Sequence, residues 1–343
     1  MADATLRSLA ARFSQESDKA LAASTLNQYA APWRAFVAWW RLRRLPGSVY
    51  ETPPSVVGLY LYSLYLSSSA DGVGEGRVRA ASGAIHAFFR AAGCESPTSH
   101  PACQTARRLA AKHLVPRPFR RDAFTSADLA RFVGHFGGRG AGLRHVMMCA
   151  AVSVMFFGFL RFDDLAEICV HDDLLIITES HMEIFLPRSK TDQLWDGAWV
   201  VVGRLGGPVC PVGLVERLLR QGAYRRSPSH PREDVGPLLR VVQHTRDGGR
   251  LQRLVGTLEH PVYSTSYTAF SEALAAMCGE AGIAAHITPH SMRIGGNSTA
   301  AANGVPAEVR RAHGRWLSPS MVDLYTRRSP GAGIDLTRRM AER

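Results

Sequence analysis

Residues 288–293 read Thr-Pro-His-Ser-Met-Arg, and further along the chain residues 316–325 read Trp-Leu-Ser-Pro-Ser-Met-Val-Asp-Leu-Tyr. In the first stretch, Pro289 and its neighbours are typical of a helix start. His290 and Arg293 are three residues apart, so both side chains can face the same side of the first turn. Because a helix N-terminus also favours an anion, the pair indicates a phosphate clamp. A surface helix would explain this stretch equally well on its own.

The second stretch places Trp316 and Tyr325 nine residues apart. Ser318 or Ser320 could cap a last helix, predicted over Ser320–Arg328, and Tyr325 would then lie more than one turn into that helix. Arg327 and Arg328 would lie near this tyrosine. For this stretch taken alone, a buried structural tyrosine is the commoner explanation.

An apolar run, Val146–Leu160, leads directly into Arg161. The run is too short to span a membrane and predicts a buried helix. A buried helix that ends at an arginine delivers the guanidinium to the edge of a core. Asp164, three residues on, could hold that guanidinium in place. An ordinary ion pair at the surface end of a helix explains the same residues.

Lysine is rare in this chain, since only Lys19, Lys112 and Lys190 occur among 41 basic residues. Lys190 lies in Arg-Ser-Lys-Thr-Asp (188–192), a predicted turn between two strands. Arginine does not release a proton near neutral pH, whereas lysine can. A general acid that protonates a leaving oxygen therefore favours lysine at this position. An ordinary turn lysine is an equally simple explanation.

These stretches together resemble the tyrosine recombinase (integrase) family. Its pattern is an arginine with an acidic residue three positions on, a lysine in a β-turn, His-x-x-Arg, then His or Trp, and a tyrosine nine residues later. Every position is filled here. His313 could compete with Trp316, but it lies twelve residues from Tyr325 rather than nine. A finer similarity, to the recombinases of eukaryotic DIRS and Crypton mobile elements, rests on residues 188–193 (RSKTDQ), 197–200, 210–212 and 313–316.

The resemblance implies a reaction and a role for each residue. The catalytic set would be Arg161, Lys190, His290, Arg293, Trp316 and Tyr325, with Asp164 in support. Tyr325 would attack a DNA phosphodiester, giving a 3′-phosphotyrosyl link and a free 5′ hydroxyl. The two arginines would bind the non-bridging oxygens. His290 would add a hydrogen bond, Lys190 would protonate the leaving oxygen, and Trp316 would close the site. Because the energy of the broken phosphodiester bond is kept in the phosphotyrosyl link, no metal, ATP or other cofactor is required.

Periodicity and turn signals predict a mainly α chain with a small antiparallel β-sheet. Residues 21–114 would form an all-helical domain, similar to the family's core-binding domain, between a flexible segment (1–20) and a linker (115–122). Residues 123–330 would form an α+β catalytic domain, followed by a tail (331–343) that docks on a neighbouring protomer or on its own chain. The predicted helices are Thr25–Trp40, one from Pro53 or Pro54, Arg77–Ala92, Thr105–His113, Val212–Gln221, Tyr267–Ala281, Ser291–Asn303 and Ala307–His313. The predicted strands are Leu174–Thr178, Met182–Leu186 and Trp199–Val202.

The chain is basic, with a formal net charge of +12 and a pI near 9.9. Basic residues exceed acidic ones in residues 1–114 (13 against 7) and in residues 115–343 (28 against 22). This balance favours a polyanionic partner, and double-stranded DNA is the predicted one, although a general bias toward arginine also raises a pI. The predicted phosphate contacts of the first domain are Arg77, Arg79, Arg107, Arg108 and Lys112. The resemblance further implies self-association as a tetramer on DNA.

Three other functions fit parts of the sequence. A type IB topoisomerase shares the chemistry but relaxes supercoils, and a DNA-binding protein descended from a mobile element would have lost it. A metalloenzyme using His286, His290 and His313 would lack any standard ligand spacing. A polar N-terminus and six cysteines without a Cys-x-x-Cys pair favour an intracellular protein with reduced thiols and no membrane association. A eukaryotic mobile element would act in the nucleus; otherwise the cytoplasm or nucleoid is expected.

Overall fold

The computed structural model describes residues 23–114, 122–187, 197–226, 236–243, 249–252, 264–283 and 286–327. By its internal contacts the chain divides into two compact units, Met1–Arg120 and Arg121–Arg343. The predicted flexible segment (1–20), nearly all of the predicted linker, Lys190 and the predicted tail (331–343) lie outside the described residues. Among the helices that are described, none has the length and apolar character needed to cross a membrane. All six cysteines are free.

The first unit is built from helices around one apolar core. Its described α-helices are α1 (Ala23–Leu42), α2 (Pro54–Ala70), α3 (Gly76–Ala91) and α4 (Pro101–His113). Phe36, Leu61 and Ile85 are fully buried between them. Gly58 lets α2 approach α4 closely, since a Cβ atom at Gly58 would lie 2.7 Å from the Cβ of Ala102. Buried apolar side chains from α1, α2, α3 and α4 together form this core.

The second unit combines helices with two small antiparallel ladders. Its described helices are α5 (Ser126–Phe136), α6 (Leu143–Phe157), α7 (Phe162–Ala166), α8 (Pro211–Gln221), α9 (Tyr267–Glu280), α10 (Pro289–Ala302), α11 (Ala307–His313) and α12 (Pro319–Leu324). The first ladder has the strand order β1 (Leu175–Ile177), β2 (His181–Leu186) and β3 (Ala198–Gly203). The second pairs β4 (Val242–Gln243) with β5 (Arg250–Leu251).

Helix α6 forms the centre of the second unit. It is apolar on all sides, and residues from Val146 to Phe156 are buried, as expected of a helix enclosed by its neighbours. On β2, burial alternates so that Met182, Ile184 and Leu186 face the core. The core thus lies between the sheet and the helices that carry the candidate site residues.

Local sequence explains where many elements begin. Helices α2, α4, α8, α10 and α12 each begin at a proline, a residue whose fixed φ and missing N–H suit the first helical position. At α5, the Thr125 hydroxyl accepts from the N–H of Asp128, while the Asp128 carboxylate accepts from the N–H of Thr125.

The predicted fold class, mainly α with a small antiparallel sheet, is confirmed, but two predicted helix ends are wrong. Helix α6 ends at Phe157 instead of Leu160, because Gly158 closes it and Phe159 adopts a left-handed φ of 48°. Helix α12 ends at Leu324 instead of Arg328, since the N–H of Arg327 donates to the Ser298 hydroxyl of α10 rather than to its own helix. Tyr325 consequently follows α12 instead of lying inside it.

Candidate active site

Arg161 lies at the N-cap of the short helix α7. The turn from Gly158 to Leu160 separates it from α6, and the left-handed backbone of Phe159 redirects the chain there. The backbone N–H of Arg161 donates to Oδ2 of Asp164 at 2.9 Å. The start of α7 is therefore fixed by the carboxylate three residues on, in the manner of a capping box.

Asp164 is predicted to hold the guanidinium of Arg161, and the contacts that the structure gives its carboxylate are with other groups. Its carboxylate caps the backbone N–H of Arg161 and forms an ion pair with Nη2 of Arg315 at 3.0 Å. In a capping box the side chain at the third helical position folds back toward the N–H of the N-cap residue. Asp164 is 2% exposed, so this ion pair is buried.

Arg293 is the largest fully buried side chain of the described residues. Its Nη1 donates to the carbonyl oxygen of Phe159, and its Nη2 donates to the carbonyl oxygen of Gly314 at 2.5 Å. Helix α10 packs directly against the backbone at Phe124 and Phe156, because it carries Gly295 and Gly296 at the points of contact. A Cβ atom at Gly295 would lie only 1.8 Å from the backbone oxygen of Phe124, and one at Gly296 only 2.0 Å from that of Phe156.

Tyr325 lies among three of the other predicted site residues. Its ring stacks on that of Trp316, with centroids 5.3 Å apart and an interplanar angle of 23°. The His290 ring meets it edge-on at 5.0 Å. The guanidinium carbon of Arg293 lies 5.5 Å from the Tyr325 centroid and 4.5 Å from the Trp316 centroid. Residues far apart in sequence thus form one cluster around the phenol.

A polar network holds the chain on either side of Tyr325 against α10. Nδ2 of Asn297 donates to the Thr326 hydroxyl at 3.0 Å, and Nη1 of Arg310 donates to Oδ1 of Asn297 at 2.9 Å. The N–H of Arg327 donates to the Ser298 hydroxyl at 2.8 Å. We call Asn297, Ser298, Arg310 and Thr326 the tyrosine clamp. Sequence reasoning missed it, because its members lie on separate elements and carry no characteristic spacing.

The cluster contains buried N–H donors without acceptors. Among the described residues, such donors include Nη1 of Arg161, Nε of Arg293, Nε of Arg315 and Nε1 of Trp316. Burial lowers the pKa of Arg293 to about 9, and the neighbouring Arg161 and Arg315 act in the same direction. An unpaired buried donor costs on the order of 1–3 kcal/mol. An anion beside these residues would favour the charged form of the arginines.

The His313 ring is held by one backbone hydrogen bond and one aromatic contact. Its Nε2 lies 2.7 Å from the carbonyl oxygen of Phe157, which can only accept, so Nε2 carries the proton. The ring also meets Phe159 edge-on at 4.7 Å. Within the described ranges, no three His, Cys, Asp or Glu side chains are grouped to hold a metal ion. The metal-site alternative, which needs His286, His290 and His313 together, gains no support.

Lys190 belongs to the segment between β2 and β3. The two strands are antiparallel neighbours, with Leu186 opposite Ala198. Lys190 itself lies outside the described residues. The proposal that Lys190 is the general acid therefore rests on its position in sequence between two paired strands.

The predicted DNA contacts of the first unit fall into two groups. Arg79, Arg107 and Arg108 line one open groove of about 490 Å³, together with Glu75 and Gln104. The remaining two are Arg77, which pairs with Asp71 at 2.5 Å, and Lys112, which is exposed near the end of α4. Exposed ion pairs contribute little to stability, so a DNA phosphate can displace Asp71 from Arg77.

The sequence matches no protein-family model and is not significantly similar to any curated protein. Solved structures do have a similar fold. XerH site-specific recombinase bound to palindromic difH substrate, a post-cleavage complex, has a TM-score of 0.56 at 10% identity, over 92% of this chain and 80% of that chain. Tn1549 transposon integrase in complex with transposon right end DNA has a TM-score of 0.53 at 11% identity, over 92% and 99%. A lambda integrase dimer bound to a COC′ core site has a TM-score of 0.52 at 13% identity, over 94% and 77%. The chain therefore has the fold of the tyrosine recombinases and integrases.

Proposed function

We propose that the chain is a tyrosine-type site-specific DNA recombinase that cleaves and rejoins double-stranded DNA through a 3′-phosphotyrosyl intermediate. The observation that carries this proposal is the cluster around Tyr325. One phenol contacts an imidazole and an indole, and the buried guanidinium of Arg293, whose Nε–H has no acceptor among the described residues, lies 5.5 Å from the centroid of its ring. A tyrosine nucleophile beside buried N–H donors suits attack on a phosphodiester.

The phenol oxygen of Tyr325 would attack the phosphorus atom, and the bond to the 5′ oxygen would break. Negative charge develops on the non-bridging oxygens during this step, and Arg161 and Arg293 would stabilise it. His290 would donate a further hydrogen bond, while Trp316 holds the phenol ring by stacking. Lys190 would give its proton to the departing 5′ oxygen. The reverse reaction, with the 5′ hydroxyl of a partner strand, would rejoin the DNA without metal or ATP.

The proposed partner is double-stranded DNA. The three solved structures named above are complexes with DNA or with a substrate site, and this chain carries a net charge of +12. In our proposal the helical unit (21–114) acts as a core-binding domain whose groove contacts phosphates through Arg79, Arg107 and Arg108. Residues 115–122 would link it to the catalytic unit (123–330). Four protomers would assemble on two DNA sites, with the tail (331–343) docked on a neighbour.

The test is covalent trapping. Wild type and Tyr325→Phe are incubated with nicked duplexes of varied sequence, including the DNA that flanks the gene, and the products are separated on a denaturing gel. We expect a protein–DNA adduct in wild type only, formed equally well with a chelator present. An adduct that persists in Tyr325→Phe would refute the assigned nucleophile. DNA binding without any adduct would favour a binding protein, and relaxation of supercoiled DNA without strand exchange would favour a topoisomerase.

A further inference from the structure

Arg315 is a buried arginine in a backbone conformation that favours glycine. Its φ is 55°, in the left-handed region, where a side chain crowds its own backbone. The side chain is only 13% exposed. It directly precedes Trp316, which stacks on Tyr325. A large cationic side chain is thus kept where glycine would be less strained, which indicates that the side chain itself has a use.

The partner of Arg315 is Asp164, whose own position is fixed by another contact. Oδ2 of Asp164 accepts both from Nη2 of Arg315 at 3.0 Å and from the backbone N–H of Arg161 at 2.9 Å. The second contact sets the start of α7, and with it the place from which the Arg161 side chain projects. The carboxylate therefore serves the site as a cap, but it brings a negative charge among residues that would bind an anion.

The formal charges show what Arg315 changes. Arg161 and Arg293 contribute +2 and Asp164 contributes −1, so without Arg315 the group would carry +1. With Arg315 it carries +2. Buried charges interact more strongly than exposed ones, since little water lies between them. One unit of charge inside this buried cluster would therefore alter the attraction to a phosphate substantially.

On the basis of the proposed function, we propose that Arg315 is a positioning residue that cancels the charge of Asp164, so that the cap of α7 does not repel the scissile phosphate. Arg315 acts through Asp164 and need not contact DNA. Its remaining Nε–H has no acceptor in the described structure. The role requires a positive charge at residue 315 only while residue 164 is negative.

This dependence can be tested by a double-mutant cycle. Arg315→Gly removes the charge at a backbone position that glycine tolerates, and it is made both in wild type and in the Asp164→Asn background. Asparagine removes the negative charge, while its side-chain oxygen can still accept from the N–H of Arg161. Single-turnover adduct formation is measured at saturating DNA. The matched control is Arg44→Gly, because Arg44 is also left-handed (φ 51°) but exposed.

We expect Arg315→Gly to slow adduct formation at least tenfold with Asp164 present and less than twofold in the Asp164→Asn background. Arg315→Lys, which keeps the charge, should stay within threefold of wild type, and Arg44→Gly should match wild type. An equal loss in both backgrounds would overturn the inference, because Arg315 would then act directly or only through folding. A loss below twofold with Asp164 present would overturn it as well. Melting temperatures of all variants identify any that fail to fold.

A titration with inorganic phosphate separates this inference from the proposed function. Wild type that forms no adduct with any duplex would refute the proposed function, while phosphate binding would still test the role of Arg315. We expect Arg315→Gly to weaken phosphate binding at least fivefold with Asp164 present and to have little effect in the Asp164→Asn background. Equal phosphate affinity in wild type and Arg315→Gly would overturn the inference.

Discussion

The tyrosine clamp can be weakened at one atom without touching Tyr325. The Thr326 hydroxyl donates to the carbonyl oxygen of Val322 at 2.7 Å and accepts from Nδ2 of Asn297 at 3.0 Å and from Nη1 of Arg310 at 3.2 Å. Thr326→Val keeps the size of the side chain and removes all three hydrogen bonds. Nδ2 of Asn297 keeps the Val322 oxygen at 3.3 Å, and Nη1 of Arg310 keeps Oδ1 of Asn297.

The free energy lost in Thr326→Val can be estimated from these hydrogen bonds. A hydrogen bond contributes about 1 kcal/mol net, and two of the donors retain another acceptor, so we expect a loss of about 2 kcal/mol. If that loss falls on docking of the segment that carries Tyr325, the docked fraction falls by up to roughly 30-fold, since 1.4 kcal/mol is tenfold. The expected result is adduct formation slowed at least about fivefold at saturating DNA, with unchanged DNA affinity.

The assay is single-turnover adduct formation together with a gel-shift titration. Thr299→Val is the control, because this residue also lies on α10 but takes no part in the clamp. Should Thr326→Val form adduct at the wild-type rate, the clamp does not hold the nucleophile and the reasoning is refuted. Weaker DNA binding with an unchanged rate at saturation would refute it equally.

Three further predictions concern single residues. Burial lowers the pKa of His313 below the ordinary 6.5, against the opposing effect of its hydrogen bond to the Phe157 carbonyl. The unfolded chain therefore takes up the proton at a higher pH than the folded chain, so urea unfolding should show full stability above pH 6.5, a loss as the pH is lowered, and a smaller loss in His313→Gln. Gly295→Ala should lower the melting temperature strongly and cost more than about 2 kcal/mol, since its Cβ would meet the Phe124 oxygen at 1.8 Å; an unchanged melting temperature would contradict the packing of α10. Lys190→Arg should form little adduct with a normal duplex, yet react well when the leaving 5′ oxygen is replaced by sulfur, because a thiolate leaves without a general acid. Equal defects on both substrates would show that Lys190 does not protonate the leaving oxygen.

Sequence reasoning succeeded where a single stretch of chain determines the structure. Pro289 begins α10 and places His290 and Arg293 within its first turns. Apolar periodicity also located α6 and the three strands of the main sheet. These are local properties, so the order of residues specifies them directly.

Contacts between distant elements were not predictable in this way. The partner of Asp164 is Arg315, 151 residues away, and no spacing rule connects the two. Helix α12 ends early because Ser298 of α10 takes the N–H of Arg327, which depends on how the helices pack. The left-handed backbone of Arg315 is likewise imposed by its surroundings, since the residue type does not favour it.

In the proposed reaction, Tyr325 is the nucleophile and becomes linked to a 3′ phosphate. The most direct measurement is mass spectrometry of a trapped adduct after digestion of both protein and DNA, together with labelling of the released 5′ end by polynucleotide kinase. We expect a nucleotide on the peptide that contains Tyr325 and a 5′ hydroxyl that accepts the label. A nucleotide on any other residue, or a 5′ end that carries the phosphate, would contradict it.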